Sequence, residues 1–179
     1  MTPHLADAPV LETERLILRA PDMRDWPAFE AFMTSDRSRF VRPPEVDRRL
    51  AWRAFGHWVG HWILRGFGQF ILEDRATGAS LGAVGNWYPE GWPEREVGWM
   101  IFAPEAEGKG YAAEAARAVL GHTFGTLGWN TAVSYIDPEN AGSIALAQRL
   151  GATLDPAART PHPEESLLVY RHAGPEGAA

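Results

Sequence analysis

The stretch Gly108-Lys109-Gly110-Tyr111-Ala112-Ala113 joins two glycines and the only lysine of the chain to the start of an alanine-rich segment. Glycine lets the backbone turn tightly and carries no Cβ to hold a ligand away. A helix starting there leaves its first N–H groups unpaired, with partial positive charge on them. Such a loop suits an anion, most naturally a phosphate, and Lys109 adds a full charge beside it. A glycine turn capping a helix with no ligand fits the same residues. So does a GxGxxA dinucleotide fingerprint, but that needs a βαβ unit and an acidic residue about 20 positions on. Asp137 is the nearest candidate, and the residues between strand and glycines, Ala103 to Glu107, make a poor match. No GKS or GKT occurs, which excludes a Walker loop.

Other side chains could also do chemistry. Glu94 and Glu96 alternate along a strand and so share a face. Asn140 and Ser143 open a helix, Asn140 as its N-cap. His57 and His61 stand four apart, but HWVGH lacks the glutamate of HExxH and offers no third ligand, so no metal site is expected. Trp87 and Trp92 bracket a Pro/Gly loop; with Trp52, Trp58 and Trp62 they are expected to line a cleft. The charges of Asp36, Arg37, Arg39 and Arg42 read as a solvated turn.

These residues need elements to hold them. Glu14 to Ala20 reads as a strand, Arg24 to Thr34 as a helix, and Val46 to Arg65 as a second helix that Gly56 and Gly60 weaken. Three strands follow on short loops: Gly68 to Asp74, Ser80 to Tyr88 and Glu94 to Phe102. Short loops favour antiparallel neighbours. The order then becomes helix (Tyr111 to Phe124), strand (Thr131 to Ile136), helix (Asn140 to Leu150) and strand (Ser166 to His172). This predicts an α/β fold with a mixed sheet.

The chain has 179 residues, 17 Lys plus Arg, 23 Asp plus Glu, a net charge of −6 and no cysteine. That length suits one domain, expected over residues 14–172, with an N-terminal extension at 1–13 and a flexible tail at 173–179. Without cysteine there is neither a disulfide framework nor a thiolate metal site. The acidic balance argues against nucleic-acid binding. No apolar run approaches the roughly 20 residues of a membrane span, and the opening residues lack a signal-peptide pattern. A cytoplasmic protein without membrane or nucleic-acid partners is the expectation.

Four pieces occur in a telling order: Glu12-Thr13-Glu14-Arg15-Leu16-Ile17-Leu18-Arg19, the strand Glu96-Val97-Gly98-Trp99, the loop Gly108 to Ala115 (GKGYAAEA), and Asn140-Ala141-Gly142-Ser143 followed by Leu150-Gly151-Ala152. In this order and spacing the sequence resembles the GNAT (GCN5-related) N-acetyltransferases, in particular the branch of ribosomal-protein N-terminal acetyltransferases. The family's phosphate motif, Gln/Arg-x-x-Gly-x-Gly/Ala, falls on Glu107 to Ala112, matching at Gly110 and Ala112 and departing at Glu107.

The resemblance implies a single-domain, mostly antiparallel mixed sheet, splayed at the cofactor site and flanked by helices. It implies acetyl-CoA as donor, no metal, and a primary amine as acceptor. Cofactor contacts would come from Met100, Ile101, Phe102, Glu107, Gly108, Lys109, Gly110, Tyr111, Ala112, Asn140 and Ser143. The thioester oxygen would accept a backbone N–H near Met100, and the Glu107 side chain must point away from the diphosphate. Glu96 would be the base. Ser143 would be the acid, because the usual tyrosine position is Ala147, with Tyr135 or Tyr111 as substitutes. Trp87 and Trp92 would touch the acceptor. A non-catalytic acyl-CoA-binding or regulatory module is the alternative. The oligomeric state is left open, a homodimer included.

Overall fold

The sheet begins earlier than the sequence suggests. The structure, a computed structural model, describes residues 5–174 apart from 163 and 165. Leu11–Glu12 (β1) pairs with Leu16–Arg19 (β2), so part of the expected N-terminal extension is an edge strand. Leu16 and Leu18 are buried while Ile17 and Arg19 are less so, the alternation of a strand with one face on the core.

A 3₁₀ turn at Met23–Asp25 leads into α1, Trp26–Met33. The buried Asp25 carboxylate anchors this corner: it receives two Arg19 hydrogen bonds at 2.8 Å and the Ser80 hydroxyl at 2.5 Å. The paired guanidinium and these donors hold its pKa below the usual carboxylate range, against the desolvation of burial.

Helix α2 spans Arg48–Arg65 and starts at Asp47, which accepts the Leu50 N–H at 2.7 Å. It is continuous through Gly56 and Gly60. Both face open space, so each carries only the propensity cost of about 1 kcal/mol. Ala51, Phe55, Trp58 and Trp62 recur at helical spacing and are buried, which outweighs that cost.

Strands β3 (Gln69–Asp74), β4 (Ser80–Trp87) and β5 (Glu96–Ile101) form the expected antiparallel meander. Helix α3 (Tyr111–Gly125), strand β6 (Thr131–Ile136) and helix α4 (Ala141–Arg149) follow, with Asn140 capping α4. The short β7 (Thr153–Leu154) has two exposed residues and no apolar pattern to announce it. Strand β8, Leu168–Ala173, includes Ala173, which pairs with Thr131; residues 175–179 of the expected tail lie outside the described residues.

The eight strands form one sheet in the order β1-β2-β3-β4-β5-β6-β8-β7, antiparallel except for β5 against β6. One face packs Phe70, Leu72, Val84 and Val97 against Ala115, Ala116 and Val119 of α3. The other packs Ile71 and Ala83 against Phe29, Phe32, Phe55 and Trp58 of α1 and α2. Between these layers the sheet opens at β5/β6.

Candidate active site

Strands β5 and β6 stay in register at a single pair, Glu96 with Val133, where the Val133 N–H donates to Arg95 O at 2.9 Å. Beyond it side chains bridge the gap. The Ser134 hydroxyl donates to Val97 O at 2.6 Å and lies 3.0 Å from His172 Nε2. His172 is buried, which pushes its pKa down to about 4. At the far end of β5 the Phe102 N–H donates to Leu81 O at 2.8 Å. Main-chain groups alternate sides along a strand, so Glu96, Gly98, Met100 and Phe102 direct theirs toward β4. The N–H groups turned to the opening are those of Trp99 and Ile101. The backbone N–H expected near Met100 is therefore that of a neighbour, Trp99 or Ile101, while the Phe102 N–H is taken by Leu81 O. The Phe102 ring is also committed elsewhere, packed 5.8 Å from Phe29 and 5.4 Å from Phe32.

A cavity of about 690 Å³ lies along this opening, and Glu96, Met100, Asn140, Ser143, Trp87 and Trp92 all line it. Trp92 Nε1 donates to Glu96 Oε2 at 2.8 Å. Burial nevertheless pushes the Glu96 pKa up to about 7, because one neutral donor only partly replaces lost water. A Cβ on Gly98 would lie 3.3 Å from Glu96 Oε1, so the glycine makes room for the carboxyl group. Glu94 does not join it. It precedes β5, outside the strand alternation, and Arg171 holds it at 2.7 and 3.0 Å.

Ser143 sits in the first turn of α4. Its N–H donates to Asn140 Oδ1 at 3.0 Å, and its Oγ accepts Trp99 Nε1 at 3.2 Å. With the lone-pair side so occupied, the hydroxyl hydrogen is free to be donated. Tyr135 also lines the cavity. Its hydroxyl is buried without a partner among the described residues, and burial with the nearby Glu94 and Glu96 raises its pKa.

Trp58, His57 and the loop 39–44 also line the cavity. Trp52 and Trp62 do not contribute: Trp52 stands half-exposed against Trp26, and Trp62 is buried with its Nε1 on Gln69 O at 3.0 Å. His61 is no metal ligand. The Tyr88 N–H donates to its Nε2 at 3.0 Å, which puts the proton on Nδ1, 2.8 Å from Phe67 O. No cluster of three or more potential ligands occurs among the described residues.

The glycine loop lies past the end of β5, after a 3₁₀ turn at Pro104–Ala106. Gly108 (φ +71°) and Gly110 (φ +82°) are both left-handed, which favours glycine. Gly110 is the N-cap of α3, with no side chain capping the helix, so the N–H groups at its start are open to an anion. Two arginines shape the loop. Arg15 donates to Lys109 O at 3.0 Å, pairs with Glu114 at 2.7 Å and stacks 4.2 Å over the Tyr111 ring. Tyr111 is thereby held outside the cavity lining, which removes it as a substitute acid. Arg37 pairs with Glu107 and donates to Phe102 O and, at 3.1 Å, to Ile101 O. It therefore latches the end of β5 instead of lying in a solvated turn, and Glu107 is drawn toward it.

Sequence reasoning missed Arg37 and Gln69, the second a buried residue of the cavity wall. Gln69 is a polar residue in an otherwise apolar strand opening, and that mismatch was its one visible signal.

The family model of the acetyltransferase (GNAT) domain matches residues 15–153. The Bacillus subtilis (strain 168) protein YkkB is 31% identical over 145 residues, 79% of this chain and 83% of YkkB. An acetyltransferase from Agrobacterium tumefaciens str. C58 superposes with a TM-score of 0.85 at 40% identity, covering 96% of this chain and 98% of that one. RimL, a ribosomal L7/L12 alpha-N-protein acetyltransferase solved with coenzyme A, shares the fold with a TM-score of 0.73 at 16% identity, over 93% of this chain and 98% of RimL.

Proposed function

The chain belongs to the GNAT acetyltransferase family, and from that premise we propose an acetyl-CoA-dependent N-acetyltransferase acting on a primary amine by direct attack in a ternary complex. One observation carries the reading. A carboxyl group with a pKa near 7 (Glu96), a hydroxyl free to donate (Ser143) and the open edge of β5 share one cavity.

In this reading the N–H groups of residues 108–112 hold the diphosphate, and Lys109 adds charge at the rim. The pantetheine arm lies along Trp99 and Ile101 as an added strand, with Asn140 contacting it from α4. The thioester oxygen accepts the Trp99 N–H, which then stabilises the oxyanion of the tetrahedral intermediate. Trp87 and Trp92 border the acceptor.

The amine must be neutral to attack. A peptide α-amino group, with pKa about 7.7–8.0, needs only about 1–1.4 kcal/mol for this at pH 7, against about 4.6 for a lysine side chain. A base with a pKa near 7 matches the first task. The ammonium proton first passes through Glu96 to solvent. Nitrogen then bonds to the acetyl carbon, its second proton passes to Glu96, the C–S bond breaks, and Ser143 protonates the departing sulfur. The proton on Glu96 returns through solvent to the serine oxygen.

The test is CoA release with a serine-initiated tripeptide, phenethylamine and spermidine, beside calorimetry with acetyl-CoA. Amine-dependent release by intersecting initial-rate lines is expected. Micromolar binding without turnover on any amine would favour a non-catalytic acyl-CoA-binding module.

A further inference from the structure

The two oxygens of Glu96 stand in different surroundings. Oε2 accepts the Trp92 indole N–H at 2.8 Å. Oε1 lies over Gly98, 3.3 Å from where a Cβ on that glycine would stand, and Gly98 lines the cavity. The donor is itself held. Trp92 sits in the loop between β4 and β5, where its main-chain N–H donates to Pro89 O at 3.2 Å. Its ring meets Tyr135 of β6 and His162, before β8, nearly edge-on, with centroids 6.4 and 5.6 Å away.

Charged groups stay off this carboxyl. Tyr135 and Asp137 from β6 and the turn after it, His57 from α2, His162, and Arg39 and Arg42 from the loop 39–44 line the same cavity. Among the described residues none of them forms an ion pair with Glu96, and Arg171 neutralises the neighbouring Glu94. Trp92 is therefore the one hydrogen-bond donor to the carboxylate among the described residues. A cation in its place would keep the carboxyl ionised but make it a weak base. A neutral indole fixes one oxygen and leaves a base suited to neutral pH.

We propose that Trp92 is a positioning residue of the transferase: its indole N–H locks Glu96 Oε2, so that Oε1, over Gly98, is the atom that takes the proton of the amine. This deepens the transferase reading and rests on it. It also limits what Trp92 offers the acceptor. With Nε1 committed to Glu96, the indole meets an acceptor through its ring carbons alone, by apolar contact.

The experiment uses the amine of the three above with the highest kcat/KM and the variant Trp92→Phe, which keeps a ring between Tyr135 and His162 and deletes the donor. It is made alone and together with Glu96→Gln, and Glu96 is titrated by carboxyl-carbon NMR. Loss of a hydrogen bond to a charged group should raise the Glu96 titration by about one to two pH units. At pH 7 the deprotonated fraction, and with it kcat/KM relative to wild type, should then fall by about fivefold or more. The loss should shrink as pH rises, with KM for acetyl-CoA unchanged. In the Glu96→Gln background Trp92→Phe should cost nothing further. In wild-type protein, with no substitution at all, the Trp92 indole proton resonance should titrate together with Glu96. A Glu96 titration that does not move in Trp92→Phe, an equal loss in both backgrounds, or an indole resonance indifferent to Glu96 overturns the proposal and leaves the transferase reading standing. Wild-type enzyme that turns over no amine overturns both.

Discussion

The Trp99 indole N–H donates to Ser143 Oγ at 3.2 Å, from the middle of β5 to the first turn of α4. The bond spans the opening of the sheet and occupies one lone pair of the hydroxyl, leaving its hydrogen free to be donated. Ser143→Ala is expected to lower kcat by about 10²-fold, the lower end of general acid catalysis, with little change in CoA affinity. The loss should exceed that from Tyr135→Phe. Steady-state kinetics with calorimetry decide this, and the reverse order would move the acid to Tyr135.

Glu96 makes activity depend on pH with a defined sign. As a base with a pKa pushed up to about 7, it acts only when deprotonated, so kcat/KM should rise through pH 7 on the acid side. Glu96→Gln should remove the component near pH 7, leave the rise set by the amine's own ionisation, and lower kcat/KM by about 10²- to 10⁴-fold.

Stability should move the opposite way. Between the ordinary glutamate pKa and about 7, folded Glu96 keeps a proton that the unfolded chain has lost, so its contribution to stability falls as pH rises through that window. His172, with a folded pKa near 4, gives the opposite slope from its unfolded value down to 4. The two offset each other in wild type. Denaturant titrations from pH 4.5 to 7 should show Glu96→Gln gaining stability relative to wild type as pH rises. A constant difference would contradict the raised pKa.

The Arg37–Glu107 pair predicts a non-additive pair of variants. Arg37→Ala releases the Glu107 carboxylate beside the loop and should weaken CoA binding; Glu107→Gln in that background should restore much of the loss. Both groups are partly exposed, so the effect should shrink at high salt. Equal CoA affinity in Arg37→Ala and wild type at low salt would show that the carboxylate never faces the ligand.

Much of this architecture is legible in the residues because it is local. The Gly108–Gly110 turn, the Asn140 cap and the alternation of Leu16 and Leu18 each follow from neighbours in the chain. What stays hidden depends on pairing. A period of two says that Met100 and Trp99 present opposite sides, but only the bonds of Arg95 O and Phe102 N decide which side is open. Gln69 comes to Gly98, beside Glu96, only through Gly85, a register set by two hairpins. Glu94 reads as a partner of Glu96 until Arg171, 77 residues later, claims it.

The most direct test of the whole account is a crystal structure of the protein with CoA. The diphosphate should lie on the N–H groups of residues 108–112, with the pantetheine arm bonded to the main chain of Trp99 and Ile101 and the sulfur near Ser143. A diphosphate bound elsewhere, or an arm lying outside the β5/β6 opening, would contradict it.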